Sequence, residues 1–154
     1  MTTNEDIRNI QINVREAFTK SPENALNTSK SYAEVTNTLV CTYSEGSRKT
    51  IMDMPTIAGG NDEGPTPGFH ARAAISGCVA IGIKQEAIFR QIKCESIKVE
   101  LEMDFDDAAM FGIGENTAAP LNTRLLIMIG VRRGKKDFKI WWIEYLKWIL
   151  TFLL

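Results

Sequence analysis

The sequence GGNDEGPTPGFHARAAISGC, residues 59–78, decides how the rest of this chain is interpreted. Its first half is rich in glycine and proline and predicts a loop, and its second half begins a long apolar helix. Thr66 suits the N-cap of that helix. Pro67 suits its first position, where the missing N–H of proline has no consequence. Cys78 then lies about three turns into the helix, and we expect it at a fixed, interior position.

The helix is predicted to continue to about Lys93. Its apolar residues are spread over more than one side, which is typical of a central and largely buried helix. The residues concerned are Ala71, Ala74, Ile75, Cys78, Ile81, Ile83, Ala87 and Ile88.

The flanking segments predict a mixture of helices and strands. A first amphipathic helix is expected over 5–20, a strand over 32–43, and a returning strand over 48–54 after a turn. Strict alternation of apolar and charged residues predicts a strand over 96–106, and a last strand is expected over 123–131. The order indicates an α+β fold, in which an antiparallel sheet wraps around a long buried central helix.

Composition excludes several classes of function. The 154 residues fit one domain, and a net charge of −1 gives no reason to expect a nucleic-acid partner. Cys41, Cys78 and Cys94 lack the CxxC spacing of a zinc site, and their odd number does not suggest a disulfide framework. A single histidine excludes a multi-histidine metal centre, so we expect neither a metal nor a cofactor. The polar N-terminus does not resemble a signal peptide, and we expect a cytoplasmic protein.

The C-terminal segment, residues 132–154, differs in composition from the rest. Five cations lie within residues 132–139, and 13 of the 18 residues from Asp137 are apolar. A segment on a membrane surface and an end of non-native or truncated origin remain open, and the family resemblance described below adds a helix packed on the sheet. Membrane contact is the weakest of the three, because Glu144 and Lys147 interrupt a run already too short to span a bilayer. We expect three regions: a helical extension (1–29), a core (30–131) and this segment.

The residues quoted above resemble the OsmC/Ohr family of small α+β proteins. The resemblance rests on GGNDEGPTPGFHARAAISGC, on the strand IKVELEMDFD and on the loop AAMFGIGENTAAP, and it covers roughly residues 30–131. A branch of the family with a PTPG-type loop is the nearest match. The resemblance implies an intertwined homodimer with active sites at the dimer interface. It also implies a thiol peroxidase that reduces organic hydroperoxides.

The resemblance assigns catalytic roles to two residues of this chain. Cys78 falls on the position of the peroxidatic cysteine, and Arg48 is an approximate match to the arginine that holds its thiolate. Two departures from the family pattern stand out: Gly68 occupies the position of a glutamate, and no cysteine follows residue 131 to resolve the oxidised thiol. Cys94 is a poor candidate for the resolving cysteine, because sixteen residues along the same helix would place it about 24 Å from Cys78. Cys41 is a remote candidate for that role.

Two functional hypotheses follow from the resemblance. The first is a thiol-dependent reductase of organic hydroperoxides that uses Cys78 alone and an external thiol reductant. The alternative is a non-catalytic protein of the same fold that binds a small hydrophobic ligand at the dimer interface. Arg72 is expected to point away from Cys78, and His70, about 12 Å from it along the helix, is read as an ordinary helix-start residue.

Overall fold

The computed structural model describes residues 2–130, so the expectations placed on the C-terminal segment lie outside the described residues. The chain divides into two compact units, one of residues 9–74 and one that combines residues 1–8 with the chain from Ile75 onwards. The main elements are α1 (Asn4–Lys20), β1 (Tyr32–Val35), β2 (Cys41–Glu45), β3 (Arg48–Met52), α2 (Pro67–Phe89), β4 (Ser96–Asp104) and β5 (Asn122–Gly130). Short 3-10 helices cover Pro22–Ala25, Thr56–Ala58 and Asp107–Phe111. The α+β prediction is confirmed.

The unit of residues 9–74 contains an antiparallel sheet in the order β1-β2-β3. Glu45 pairs with Arg48 next to a tight turn in which Gly46 has a positive φ of 57°, a conformation that glycine adopts without strain. The single strand predicted over 32–43 is wrong, because the chain reverses between β1 and β2. The hydroxyl of Thr38 accepts the N–H of Val40 at 3.2 Å and helps to hold that reversal.

The unit that contains residues 75–130 has a two-stranded antiparallel sheet of β4 and β5, whose register runs from Ser96 opposite Gly130 to Asp104 opposite Asn122. One face carries half-buried apolar side chains, such as Val99 opposite Ile127. The other face, here called the outer face, is largely exposed and consists of Lys98, Glu100, Glu102 and Asp104 on β4 with Asn122, Arg124, Leu126 and Met128 on β5. The alternation predicted over 96–106 is thus confirmed for the residues of β4, which ends at Asp104.

Burial along α2 is confined to its C-terminal half. Val79, Ile83 and Ala87 recur every four residues and are at most 1% exposed, whereas no residue between Pro67 and Cys78 is buried. The prediction of a largely buried helix is therefore met only from Val79 onwards. An apolar pattern indicates that a helix face is stabilised by burial, but it does not show whether the same chain or a partner buries that face.

The helix ends at Phe89, four residues before the predicted end at Lys93. The N–H of Ile92 bonds to the carbonyl of Ala87 at 2.8 Å, and the N–H of Gln91 bonds to that of Ile88 at 3.0 Å. These two bonds form a Schellman motif, in which the residue at the Gln91 position adopts the left-handed conformation and is usually glycine. Gln91 has a φ of 57°. The motif was missed because the sequence offers no glycine there.

Replacing Gln91 with glycine is expected to raise the free energy of unfolding by about 0.5–1 kcal/mol, since glycine adopts a positive φ without the steric penalty of a side chain. Gln85→Gly is the matched control. Gln85 is also exposed but lies inside α2, where glycine is expected to lower stability by about 0.5–1 kcal/mol. Urea unfolding of both variants measures the difference. Equal destabilisation by both would contradict the left-handed assignment.

Candidate functional site

The loop that precedes α2 is organised around one buried carboxylate. Asp53 directly follows β3 and is only 1% exposed. Its Oδ1 accepts the N–H of Met54 at 2.7 Å, and its Oδ2 accepts the N–H of Asn61 at 2.9 Å and of Glu63 at 3.1 Å. A buried carboxylate needs such donors, because leaving it unpaired carries a large desolvation penalty. Asp53 therefore fixes the path of the chain from the end of β3 to the start of α2.

The hydrogen bonds to Asp53 also set its ionisation. Burial raises the pKa of Asp53, but the backbone N–H groups of Glu63, Asn61, Met54 and Asp62 together lower it by more. The net result is a pKa below the ordinary value of 3.8. Hydrogen bonds donated to the charged form of a carboxyl favour that form. Asp53 is therefore an anion at neutral pH.

Two glycines allow the loop to close on Asp53. A Cβ atom on Gly60 would overlap the backbone carbonyl of Met54 and would lie 2.8 Å from Asp53 Oδ1. A Cβ atom on Gly64 would lie 2.7 Å from the carbonyl oxygen of Ile51. The glycine and proline content of this stretch predicted a loop. The structure shows close approach to the backbone as the physical reason.

The first turn of α2 has the predicted cap. The hydroxyl of Thr66 accepts the N–H of Phe69 at 3.2 Å, and the carbonyl of Thr66 accepts the N–H of His70 at 3.3 Å. Pro67 is the first residue of the helix. Gly68 follows, and a Cβ atom there would lie 3.1 Å from Nη1 of Arg72. This turn thus has no carboxylate at the position where the family resemblance places one.

Cys78 is exposed, which corrects the expectation of an interior thiol. It lies in a row of exposed residues at three- and four-residue steps, here called the exposed α2 face: Ala71, Ala74, Cys78 and Ile81. Residues at these steps share one side of a helix. Ile81 is 62% exposed. The thiol is therefore accessible and is surrounded on its own helix by apolar side chains.

Arg48 is the first residue of β3 and is exposed. It belongs to the unit of residues 9–74, whereas Cys78 belongs to the unit that contains residues 75–130, and each is described within its own unit. The role of Arg48 stays a prediction.

The other two cysteines are less accessible than Cys78. Cys94 is 7% exposed, and its thiol donates to the carbonyl oxygen of Ser96 at 3.4 Å. Lys84 donates to the carbonyl oxygen of Cys94 at 2.6 Å. Cys94 lies beyond the end of α2, so the assumption that it shares a helix with Cys78 is wrong. Cys41 is half-buried in β2. Among the described residues, Cys78 is the only exposed cysteine.

His70 lies in the first turn of α2 and packs edge-on against Phe69, with ring centroids 5.7 Å apart. Its Nε2 is buried and has no hydrogen-bond partner within residues 2–130. His70 is half-buried, and its contacts among the described residues do not indicate a chemical role.

The carboxylates of β4 form ion pairs across the sheet. Arg124 bonds to Glu102 Oε2 at 2.7 Å and to both oxygens of Asp104 at 2.6 and 2.8 Å. The hydrogen bond from Arg124 lowers the pKa of Asp104 and raises the pKa of Arg124 itself. Over residues 2–130, no group of histidine, cysteine, aspartate and glutamate side chains has the arrangement of a metal site. Every helix described within these residues is too short or too polar to span a bilayer.

Comparisons with known proteins identify a matching family model and two solved structures with a similar fold. Residues 59–130 match the family model described as OsmC-like protein. A Psychrobacter arcticus 273-4 structure, described as an osmotic stress induced and detoxification response protein, has a TM-score of 0.51 at 14% identity, with 84% of this chain and 82% of that chain covered. A Legionella pneumophila structure, described as an organic hydroperoxide resistance protein OsmC, has a TM-score of 0.51 at 17% identity, with 83% and 82% covered. A comparison with curated protein sequences yields no match.

Asp53 is the residue of this region that sequence reasoning missed. The signal was present but weak, since an aspartate followed by a proline- and glycine-rich stretch is a common start of a turn. Burial of Asp53 depends on N–H groups eight and ten residues further along the chain, and their position is a property of the folded loop.

Proposed function

We propose that this chain is a member of the OsmC-like family, whose model matches residues 59–130, and that it reduces organic hydroperoxides with Cys78 as its single reactive cysteine. The observation that carries the proposal is the exposure of Cys78 on a regular helix, while Cys94 is buried and Cys41 half-buried. A thiolate must reach the peroxide oxygen to react, so an accessible cysteine is required.

The proposed reaction proceeds in two stages. The Cys78 thiolate attacks one peroxide oxygen, the O–O bond breaks, and the leaving alkoxide takes a proton to become an alcohol. The sulfur is oxidised to a sulfenic acid as the peroxide is reduced. An external thiol then attacks the sulfenic acid and releases water, and a second external thiol reduces the resulting mixed disulfide. An external reductant is proposed because the other two cysteines are less accessible than Cys78: Cys94 is buried and Cys41 is half-buried.

Arg48 is proposed as the cation that stabilises the Cys78 thiolate, in accord with the family resemblance. Lys49 provides a matched control. It is the next residue on β3, so its side chain leaves the opposite face of the sheet. Arg48→Ala is expected to lower the rate of peroxide consumption about tenfold or more, whereas Lys49→Ala should leave it unchanged.

A homodimer is proposed as the active form. The exposed α2 face supports this proposal, because an apolar row along a helix is stabilised when a second surface covers it. Ile81 at 62% exposure is the largest side chain in that row. A second copy that covers this row would border Cys78. Sedimentation at several protein concentrations measures the oligomeric state.

The decisive test of the proposed function is chemical trapping of Cys78. The protein is treated with cumene hydroperoxide in the presence of dimedone and digested for mass spectrometry. A dimedone adduct on Cys78, with consumption of peroxide that Cys78→Ser abolishes, supports the proposal. Cys41→Ser and Cys94→Ser are the matched controls and should keep the activity. If folded wild-type protein gives no adduct on Cys78, peroxidase chemistry at this residue is ruled out.

The alternative function is binding of a small hydrophobic ligand without catalysis. Gly68 favours it, because the first turn of α2 has no carboxylate of its own to assist the thiolate. In this case hydrophobic ligands raise the melting temperature by the same amount in the wild type and in Cys78→Ser. A thermal shift that disappears in Cys78→Ser would contradict this alternative.

A further inference from the structure

The first strand of the chain has an open edge. In the sheet of order β1-β2-β3, β1 pairs with β2 and has no strand on its other side among residues 2–130. All four of its residues are exposed, including Tyr32 at 70% and Val35 at 54%. Every second residue of an antiparallel strand directs its N–H and C=O groups away from the neighbouring strand. β1 therefore presents backbone groups without ladder partners together with apolar side chains.

The residues before β1 lengthen this edge. Residues 27–31 are exposed and lie in neither a helix nor a strand, and the register of β1 with β2 begins only at Tyr32. An exposed edge of this kind is a template for pairing with another strand. A partner strand can pair with β1 and continue along the residues that precede it.

Two opposite charges flank Tyr32 on this stretch. Lys30 and Glu34 lie two residues before and two residues after it, so in an extended chain all three side chains point to one face. Both charged residues are exposed, and neither forms an ion pair within residues 2–130. The stretch therefore has a cation, an aromatic ring and a carboxylate in order, and it is complementary to a reversed copy of itself.

A second copy that runs antiparallel pairs these charges in one register only. With Tyr32 opposite the partner's Tyr32, Lys30 lies opposite the partner's Glu34, and Glu34 lies opposite the partner's Lys30. A register centred on Ala33 would place Tyr32 opposite a carboxylate, and one centred on Glu34 would place two carboxylates together. Opposite charges directly across a strand pair are stabilising, and like charges are destabilising. The charges therefore favour the register centred on Tyr32.

We propose that β1 pairs with β1 of a second copy of this chain, antiparallel and with the two-fold axis at Tyr32, so that two three-stranded sheets join into one sheet of six strands. Each residue pair then occurs twice, as in any isologous contact. This contact uses different residues from the exposed α2 face. It does not depend on the proposed peroxidase function, since neither Cys78 nor Arg48 belongs to β1.

Disulfide trapping tests the register. In a variant whose three cysteines are replaced by serine, with its fold checked by circular dichroism, Tyr32→Cys places two thiols opposite each other. Their Cα atoms would be about 4.5–5.5 Å apart, a separation that a disulfide spans. Val35→Cys is the matched control on the same strand, because its two copies would be offset by six residues and roughly 20 Å apart.

On mild oxidation we expect most of Tyr32→Cys to form a covalent dimer, while Val35→Cys stays monomeric on a denaturing gel. Equal cross-linking at the two positions would indicate random collision and overturn the proposal. The absence of a covalent dimer in Tyr32→Cys would overturn it as well.

Charge reversal tests the same contact in the chain with its own cysteines. Lys30→Glu or Glu34→Lys alone turns both cross-strand ion pairs into repulsions, and each is expected to raise the Kd of the contact about tenfold. Lys30→Glu/Glu34→Lys exchanges the charges, rebuilds both pairs and should return the Kd to the wild-type value. Sedimentation over a range of protein concentrations measures the three variants. Single variants that associate like the wild type, or a double variant as weak as the single ones, would contradict the pairing.

Discussion

Gly60→Ala is expected to lower the free energy of unfolding by about 3 kcal/mol, a large effect for the addition of one methyl group. The new Cβ atom would overlap the carbonyl of Met54, which is backbone and cannot rotate away like a flexible side chain. The same atom would lie 2.8 Å from Asp53 Oδ1. Relief of the overlap requires the loop to move away from Asp53, and the buried carboxylate then loses its donors.

Asn61→Ala is the control for Gly60→Ala. Asn61 is the next residue, is exposed, and keeps its backbone N–H bond to Asp53 when its side chain is truncated. The variant loses only the exposed hydrogen bond from Asn61 Nδ2 to Glu63, so we expect a loss of at most about 0.5 kcal/mol. Chemical unfolding of both proteins against the wild type measures the difference. Similar stability of the two variants would show that the loop tolerates the displacement.

Local signals in the sequence were sufficient for several elements of the fold. The hairpin of β2 and β3, the cap at Thr66 and the alternation of β4 were all predicted. In each case the decisive interactions lie within a few residues of chain, or within the period of one element. The end of α2 was missed for the opposite reason. Gln91 adopts a positive φ that its residue type disfavours, so it gave no signal.

The candidate site could be predicted only in part. The loop and the helix suggested the family and located Cys78 on the long helix, and residues 59–130 match the OsmC-like family model. The exposure of Cys78 was not predicted, because the apolar residues around it indicated burial. Hydrophobic periodicity does not distinguish a face covered by its own chain from one left for a partner. Asp53 was missed because its donors are distant in sequence.

The loop before α2 and the buried part of α2 are stabilised by different interactions. Val79 and Ile83 stabilise the helix through burial of apolar surface, which changes little with pH. Asp53 stabilises the loop through hydrogen bonds to a charge. The stability of the loop should consequently depend on pH, and a single isosteric substitution should remove that dependence.

Asp53→Asn is expected to destabilise the protein to an extent comparable with Gly60→Ala. The amide has one oxygen in place of two acceptors, so its NH2 group must face either the N–H of Met54 or those of Asn61 and Glu63. At least one buried N–H then loses its partner, and buried polar groups without partners are strongly disfavoured. Asp62→Asn is the isosteric control in the same loop. Asp62 is exposed with a φ of 59°, a conformation that asparagine also tolerates, and little change is expected.

The pH dependence distinguishes loss of the Asp53 charge from a general packing defect. The pKa of Asp53 is lowered in the folded protein, so its contribution to stability is fully present above the unfolded value of 3.8 and is lost as the pH falls through the folded value. The stability difference between the wild type and Asp53→Asn should therefore be constant from about pH 7 to pH 5 and should shrink below about pH 4. Urea unfolding across this range measures it. A difference that stays constant into acid would show that Asp53 acts by shape rather than by charge.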